Sequence, residues 1–234
     1  MKNYIYVTGG KGGIGKSFVS MLVADYMATK EQVLLIDTDM TNSDCNAVYK
    51  DKKQSTIECN VQQLRSEDTS GQVDTSGLLS TFNVDRECVV VDAPAGDTVL
   101  LANAGSMINE MCQEYKAKSV IVWLADSGDQ NAVNGLNAVF EQIKNVDLIL
   151  IVKNFKSSTD FDLLDKSNTL TKFKSLPNCH VVDFPKIAAR ITKRVRTDKN
   201  SFVEMISENT PIGDRVEARR VRSLMHKVFE EAGL

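Results

Sequence analysis

Apolar residues in this chain fall into short unbroken runs, set between longer stretches where they recur every three or four positions. Residues 4–7, 33–36, 88–91, 120–124 and 148–152 are continuous rather than alternating. Strands covered on both faces have this composition, because neither side of the pleat meets water. Val181 and Val182 mark a shorter sixth run. Between the runs, residues 17–29 bring Val19, Leu22, Val23 and Tyr26 to one side of a helix. Residues 131–145 do the same with Val133, Leu136, Phe140 and Ile143. Strands alternating with helices predict a doubly wound, mainly parallel α/β sheet with helices on both faces. Such a sheet collects its ligand at the carboxyl ends of its strands. The polar stretch 50–83 is expected to hold one or two modest surface helices anchored by Leu64, Leu78 and Leu79. It and the mixed stretch 153–175 do not read as linkers, so residues 1–234 are expected to form one domain.

The first run leads into Gly9, then Gly10-Lys11-Gly12-Gly13-Ile14-Gly15-Lys16-Ser17, then a helix opening at Lys16. Strand, glycine-rich turn and helix are the context that gives the GxxxxGK[ST] spacing its meaning. The glycines let successive backbone N–H groups wrap a phosphate, and the helix start adds its positive dipole end. In this reading Lys16 neutralises the terminal phosphates of ATP and Ser17 offers its hydroxyl to Mg²⁺. Lys11 puts a second cation inside the loop. The run 33–36 ends in Asp37-Thr38-Asp39, and strand alternation would turn Asp37 and Asp39 the same way, toward a metal or an attacking water. The run 88–91 ends in Asp92, followed by Ala93-Pro94-Ala95-Gly96. A carboxylate there suits a metal's outer coordination, with Gly96 freeing the next loop to follow a γ-phosphate.

Composition narrows the setting. A hydrophobic share of 42% and a net charge of −3 suit a globular protein, and argue against one that coats nucleic acid with its whole surface. The charge is uneven: from Lys186 onward, 11 Lys and Arg face 7 Asp and Glu. The cysteines Cys45, Cys59, Cys88, Cys112 and Cys179 are scattered, and the histidines are only His180 and His226. Reduced thiols in a cytoplasm are therefore expected, rather than disulfides or a zinc site.

The loop with Lys11, the Leu34-Leu35-Ile36-Asp37-Thr38-Asp39 block and the Val89-Val90-Val91-Asp92-Ala93-Pro94-Ala95-Gly96 block together resemble the ParA/MinD family of deviant Walker-A ATPases. The resemblance implies a P-loop NTPase fold and an ATP-dependent homodimer in which Lys11 reaches the partner's nucleotide. It implies catalytic roles for Lys11, Lys16 and Asp39, with Asp39 positioning the water, and a metal set of Ser17, Asp39 and Asp92. It implies nucleotide contacts from residues 10–17 and Phe18, from Asn154 after the strand 148–152, and from Pro185 in Phe184-Pro185-Lys186-Ile187. Where many partition members have Pro-Gln-Gly after the second Asp, this chain has Met40-Thr41-Asn42-Ser43.

Three settings follow for such a switch. Lys186, Arg190, Lys193, Arg194, Arg196 and Lys199, with Arg215, Arg219, Arg220 and Arg222, would suit non-specific DNA in plasmid or chromosome segregation or stability, including a conjugation-linked role. An adaptor protein is an alternative or additional partner. In the second setting, resembling MinD, Val221, Leu224, Met225, Val228 and Phe229 form the apolar face of a membrane-associated terminal helix. That face is more often packed on its own domain, so a membrane ranks below DNA. The third is a small-molecule ligase of the dethiobiotin synthetase-like class, which would not require Lys11.

Overall fold

The computed structural model describes residues 1–52, 55–64, 75–125, 130–155 and 160–234. Its centre is a sheet of seven parallel strands. β1 (Asn3–Gly9), β2 (Val33–Asp37), β3 (Ile57–Val61), β4 (Cys88–Asp92), β5 (Lys118–Ala125), β6 (Leu148–Asn154) and β7 (Cys179–Phe184) lie in the order β3-β2-β4-β1-β5-β6-β7. β1 therefore sits in the middle, in register with β4 from Asn3 against Cys88 and with β5 from Asn3 against Lys118. All five long apolar runs became strands, and the Val181–Val182 pair became β7.

Alternation along each strand divides the interior into two cores. Ile5 and Val7 face one, with α1 (Lys16–Met27), α2 (Asp44–Tyr49), α8 (Ala189–Arg196), α9 (Phe202–Met205) and α10 (Ile212–Glu231). Tyr4 and Tyr6 face the other, with α3 (Ser76–Ser80), α4 (Thr98–Tyr115), α5 (Gln130–Ile143), α6 (Asp162–Asp165) and α7 (Asn168–Lys174). Helices cover both faces, so the doubly wound arrangement read from the sequence is the observed one.

Three differences have physical reasons. α1 is buried on nearly every side and not along a single stripe, because α2, α9 and α10 close over the face that the sheet leaves open. Strand β3 emerged from a stretch expected to be helical. It is an edge strand paired only with β2, so Ile57 and Cys59 are buried while Glu58, Asn60 and Val61 stay in water. One covered face needs few apolar residues, which hid it among polar neighbours. Of that stretch's anchors, Leu64 and Leu78 are buried and Leu79 only half so; residues 53–54 and 65–74 lie outside the described residues. The 18-residue α4 adds a helix beyond those the sequence pattern singled out.

α10 packs as the sequence reading favoured. Val221, Met225 and Phe229 are buried against α1, Val228 is half-buried, and Leu224 lies at the edge of that face, 39% exposed. The buried Asp25 of α1 accepts hydrogen bonds from Arg222 Nε at 2.6 Å and from His226 Nε2 at 2.7 Å. The apolar face of α10 is thus spent on the protein's own core. Among the described residues no helix is long and apolar enough to cross a membrane.

Candidate functional site

β1 delivers the glycine-rich turn to the carboxyl edge at the middle of the sheet. Lys11, Gly12 and Gly13 are exposed, Gly10 and Gly15 half-buried, and Ile14 is tucked under the loop. Gly15 has φ +96°, a left-handed conformation that a side chain resists, and a Cβ there would stand 3.0 Å from Asn154 Nδ2. The turn can close into α1 only with glycine at that point.

Lys16 is 7% exposed, and its Nζ donates to the Lys11 carbonyl at 3.0 Å. Burial pushes its pKa down, while the charges of Asp92, Asp97 and Asp39 pull it back up. A single amine thus stands against three carboxylates from three different segments, across the mouth of the loop.

Asp92 ends β4 and is 2% exposed. Ser20 Oγ donates to its Oδ1 at 2.8 Å and Cys45 Sγ to its Oδ2 at 3.4 Å. Burial pushes its carboxyl up to about 7, with Asp37 adding to the rise, against hydrogen bonds from Ser17, Ser20 and Cys45. The fold therefore binds a proton that the unfolded chain releases near pH 4, and the native state loses stability as pH rises toward 7. Asp92→Asn removes that penalty. Between pH 5.5 and 8 it is expected to gain about 2 kcal/mol on the wild type in the ligand-free state, read from paired urea melts. A constant difference across that range would show that Asp92 does not titrate there.

Asp37 and Asp39 are placed differently. β2 stops at Asp37, and beyond it alternation no longer governs direction. Asp37 is wholly buried and accepts the backbone N–H of Asp39 at 3.2 Å and of Asn46 at 3.0 Å. Burial raises its pKa against these bonds. It shapes the loop and starts α2, with both carboxylate oxygens taken by backbone N–H groups. Asp39 is half-buried at the mouth, its Oδ1 accepting the N–H groups of Thr41 and Asn42 at 3.0 and 2.9 Å.

Asp97 escaped the sequence reading. As the residue before α4 it reads as a helix cap, and that was the one local signal it offered. Its side chain makes no cap bond and instead accepts Tyr6 Oη at 2.8 Å and Thr8 Oγ1 at 3.3 Å, wholly buried under the loop. It thereby pins the far end of the 93–96 turn to β1.

On the other flank, Gly15, Phe18, Asn154, Phe184, Pro185, Ile187, Thr192 and Arg196 line one pocket. Phe18 meets Phe184 edge-on at 6.2 Å, and Asn154 Nδ2 donates to the Ile14 carbonyl. An aromatic and aliphatic wall with one amide suits a planar base. The structure thus brings Asn154, Pro185 and Phe18 together beside the phosphate loop.

The ligand set also bears on a metal. Ser17, Asp39 and Asp92 offer oxygen donors alone, which fit a hard divalent cation. Among the described residues no cluster of three or more His, Cys, Asp and Glu forms a self-sufficient cage. Mg²⁺ held by one or two protein groups plus phosphates needs none. The basic surface is less available than its sequence suggested. Arg190 and Arg194 pair with Asp214, Arg196 with Asp44, Arg220 with Glu217 and Arg222 with Asp25. Lys186, Lys193, Lys199, Arg215 and Arg219 make no ion pair among the described residues.

Comparison with known proteins agrees with this geometry. A sequence model of the family described as CobQ/CobB/MinD/ParA nucleotide binding domain matches residues 5–218. The chain is 30% identical over 234 residues to protein MobD of Acidithiobacillus ferrooxidans, covering 98% of each. A plasmid partition protein of Borrelia burgdorferi B31, solved bound to AMPPNP, superposes with a TM-score of 0.60 at 14% identity, covering 98% of this chain and 100% of that one. The MinD cell division protein of Aquifex aeolicus gives 0.50 at 13% identity, covering 96% and 97%. At such identities the structural likeness is one of fold.

Proposed function

Because this chain belongs to the CobQ/CobB/MinD/ParA nucleotide-binding family, we propose that it is an ATP-driven dimerisation switch. It binds ATP with Mg²⁺ at residues 10–17, pairs with a second copy over the exposed loop, and hydrolyses slowly. The observation that carries this reading is the placement of two lysines in one loop. Lys16 is buried among carboxylates, while Lys11 stands exposed at the rim. A lysine needed only for its own nucleotide has no cause to sit at an exposed rim, whereas one that serves a second subunit's phosphates does.

The chain's own groups would act as follows. Loop amides wrap the phosphates, and the Lys16 amine exchanges the Lys11 carbonyl for phosphate oxygens. Ser17 and Asp92 would hold the metal, which would supply charge neutralisation at the phosphates. Asp39, whose Oδ1 accepts the Thr41 and Asn42 N–H groups, would orient the attacking water through its other oxygen. The amide of Asn154 and the wall formed by Phe18 and Pro185 would seat the adenine. Completion of the site only in the dimer keeps turnover slow and partner-dependent.

The fold likeness to a plasmid partition protein favours a role in segregating, stabilising or transferring a plasmid or chromosome. The cargo contact would be non-specific DNA through the unpaired lysines and arginines, or an adaptor protein. Burial of the α10 apolar face leaves little for a membrane.

Lys11→Ala is the discriminating variant. With ATP and Mg²⁺ the wild type is expected to sediment as a dimer. The variant is expected to bind ATP within about tenfold of wild type but to remain monomeric, a loss on the order of 3 kcal/mol in association. A Lys11→Ala dimer as tight as wild type would refute the cross-subunit role. A wild type that binds ATP yet stays monomeric at all concentrations would favour the ligase class instead.

A further inference from the structure

The buried carboxylate of Asp92 is held by two helices at once. Ser20 Oγ, on α1, takes Oδ1 at 2.8 Å, and Cys45 Sγ, on α2, takes Oδ2 at 3.4 Å. The same sulfur lies 3.6 Å from the Ser17 carbonyl, in the first turn after the phosphate loop. Cys45 therefore touches both segments that carry the oxygen donors proposed for the metal.

Its own position is set elsewhere. α2 begins at Asp44, five residues past Asp39, and Asp37 anchors its first turn by accepting the Asn46 N–H. The other Asp37 oxygen accepts the Asp39 N–H, and Ser43 Oγ donates to the Asp39 carbonyl at 2.6 Å. One set of bonds thus fixes the Asp39 loop and the start of α2 together. Any movement of that loop must pass through α2 to the sulfur, and from the sulfur to Asp92. Cys45 is fully buried, with no path for an oxidant or a modifying reagent, and burial keeps it a neutral thiol. It can donate a hydrogen bond and little more. A thiol is a weak donor with a long reach, suited to a contact that holds the carboxylate without competing strongly for it.

The geometry points to Cys45 as a positioning residue that couples the Asp39 loop to the Asp92 carboxylate and so sets how tightly the Mg²⁺–nucleotide pair is held. This rests on the proposed role of Ser17 and Asp92 and goes beyond it, since nothing in that role requires a residue from α2.

The test measures binding of a non-hydrolysable ATP analogue to the full chain, first in EDTA and then across a Mg²⁺ titration, by calorimetry. Cys45→Ala is expected to raise the Mg²⁺ concentration for half-maximal binding about fivefold to tenfold, as loss of one hydrogen bond from a weak donor would. Affinity in EDTA is expected to stay unchanged. Cys45→Val fills the space without a donor and should match Cys45→Ala, which guards against a cavity effect. Cys45→Ser restores a donor and should return to within about threefold of wild type. Cys112→Ala, which removes a buried thiol in the opposite core, should not move the Mg²⁺ midpoint. Equal midpoints for Cys45→Val and wild type would overturn the inference. So would a loss in EDTA as large as that in Mg²⁺, which would make Cys45 merely structural. Failure of the wild type to bind the analogue at all would instead sink the proposed function.

Discussion

Lys16→Ala is expected to abolish useful nucleotide binding, raising the dissociation constant for ATP at least about a hundredfold, or roughly 3 kcal/mol. The effect is large because the amine is already desolvated. Lys16 is 7% exposed and donates a hydrogen bond to a loop carbonyl, so on ligand binding it exchanges one protein acceptor for a charged one without leaving bulk water. Stability should change far less than affinity. Burial disfavours the ammonium while Asp92, Asp97 and Asp39 favour it, and deletion removes both effects together. Lys16→Met keeps the packing of the stem and should lose binding just as fully. Calorimetric titration in Mg²⁺ with a parallel thermal melt reads both quantities. An alanine variant that bound within tenfold of wild type would mean that the loop does not grip phosphates through this side chain.

Gly9→Ala should be strongly damaging for so small a substitution, costing about 3 kcal/mol or more. An added Cβ would lie 2.4 Å from Ile14 Cδ1 and 2.6 Å from the Leu124 carbonyl oxygen. The Ile14 methyl could turn aside. The oxygen cannot, because Gly9 and Leu124 are paired in the β1–β5 ladder, and moving it would unzip the strands just where the phosphate loop begins. The variant should therefore lose stability in urea and bind ATP poorly when folded. Gly213→Ala provides the contrast. Near the start of α10, with nothing within 4 Å of the new atom, it should stabilise by up to about 1 kcal/mol through helix propensity. If Gly9→Ala proved the milder of the two, the close approach of β1 and β5 would be wrong.

The weight of Gly9 is decided by the tertiary structure. Gly9 reads in the sequence as one more glycine in a rich run, and the oxygen that makes it irreplaceable lies 115 residues away, on β5. Asp37 and Asp39 look equivalent in Asp37-Thr38-Asp39, yet β2 stops between them and gives one to the loop's scaffold and the other to the mouth of the site. The arginines of the last fifty residues look like an open basic patch, and five of them turned out to be braced against the protein's own carboxylates.

What the amino-acid order determined by itself was everything governed by near neighbours. Apolar runs make strands wherever they lie, and a strand, glycines, Lys16 and Ser17 make a glycine-rich turn into a helix from contiguous backbone alone, so fold class and that turn were legible. Only the tertiary structure decided which distant residues meet that loop. Asn154, Phe18 and Pro185 share a pocket because β6 and β7 end beside α1. Asp97 lies under the loop because Tyr6 and Thr8 take its carboxylate. Cys45 reaches Asp92 because Asp37 anchors α2. Each depends on the lateral order of strands, which no local period encodes, since that order is set by how the two apolar faces can all be buried at once.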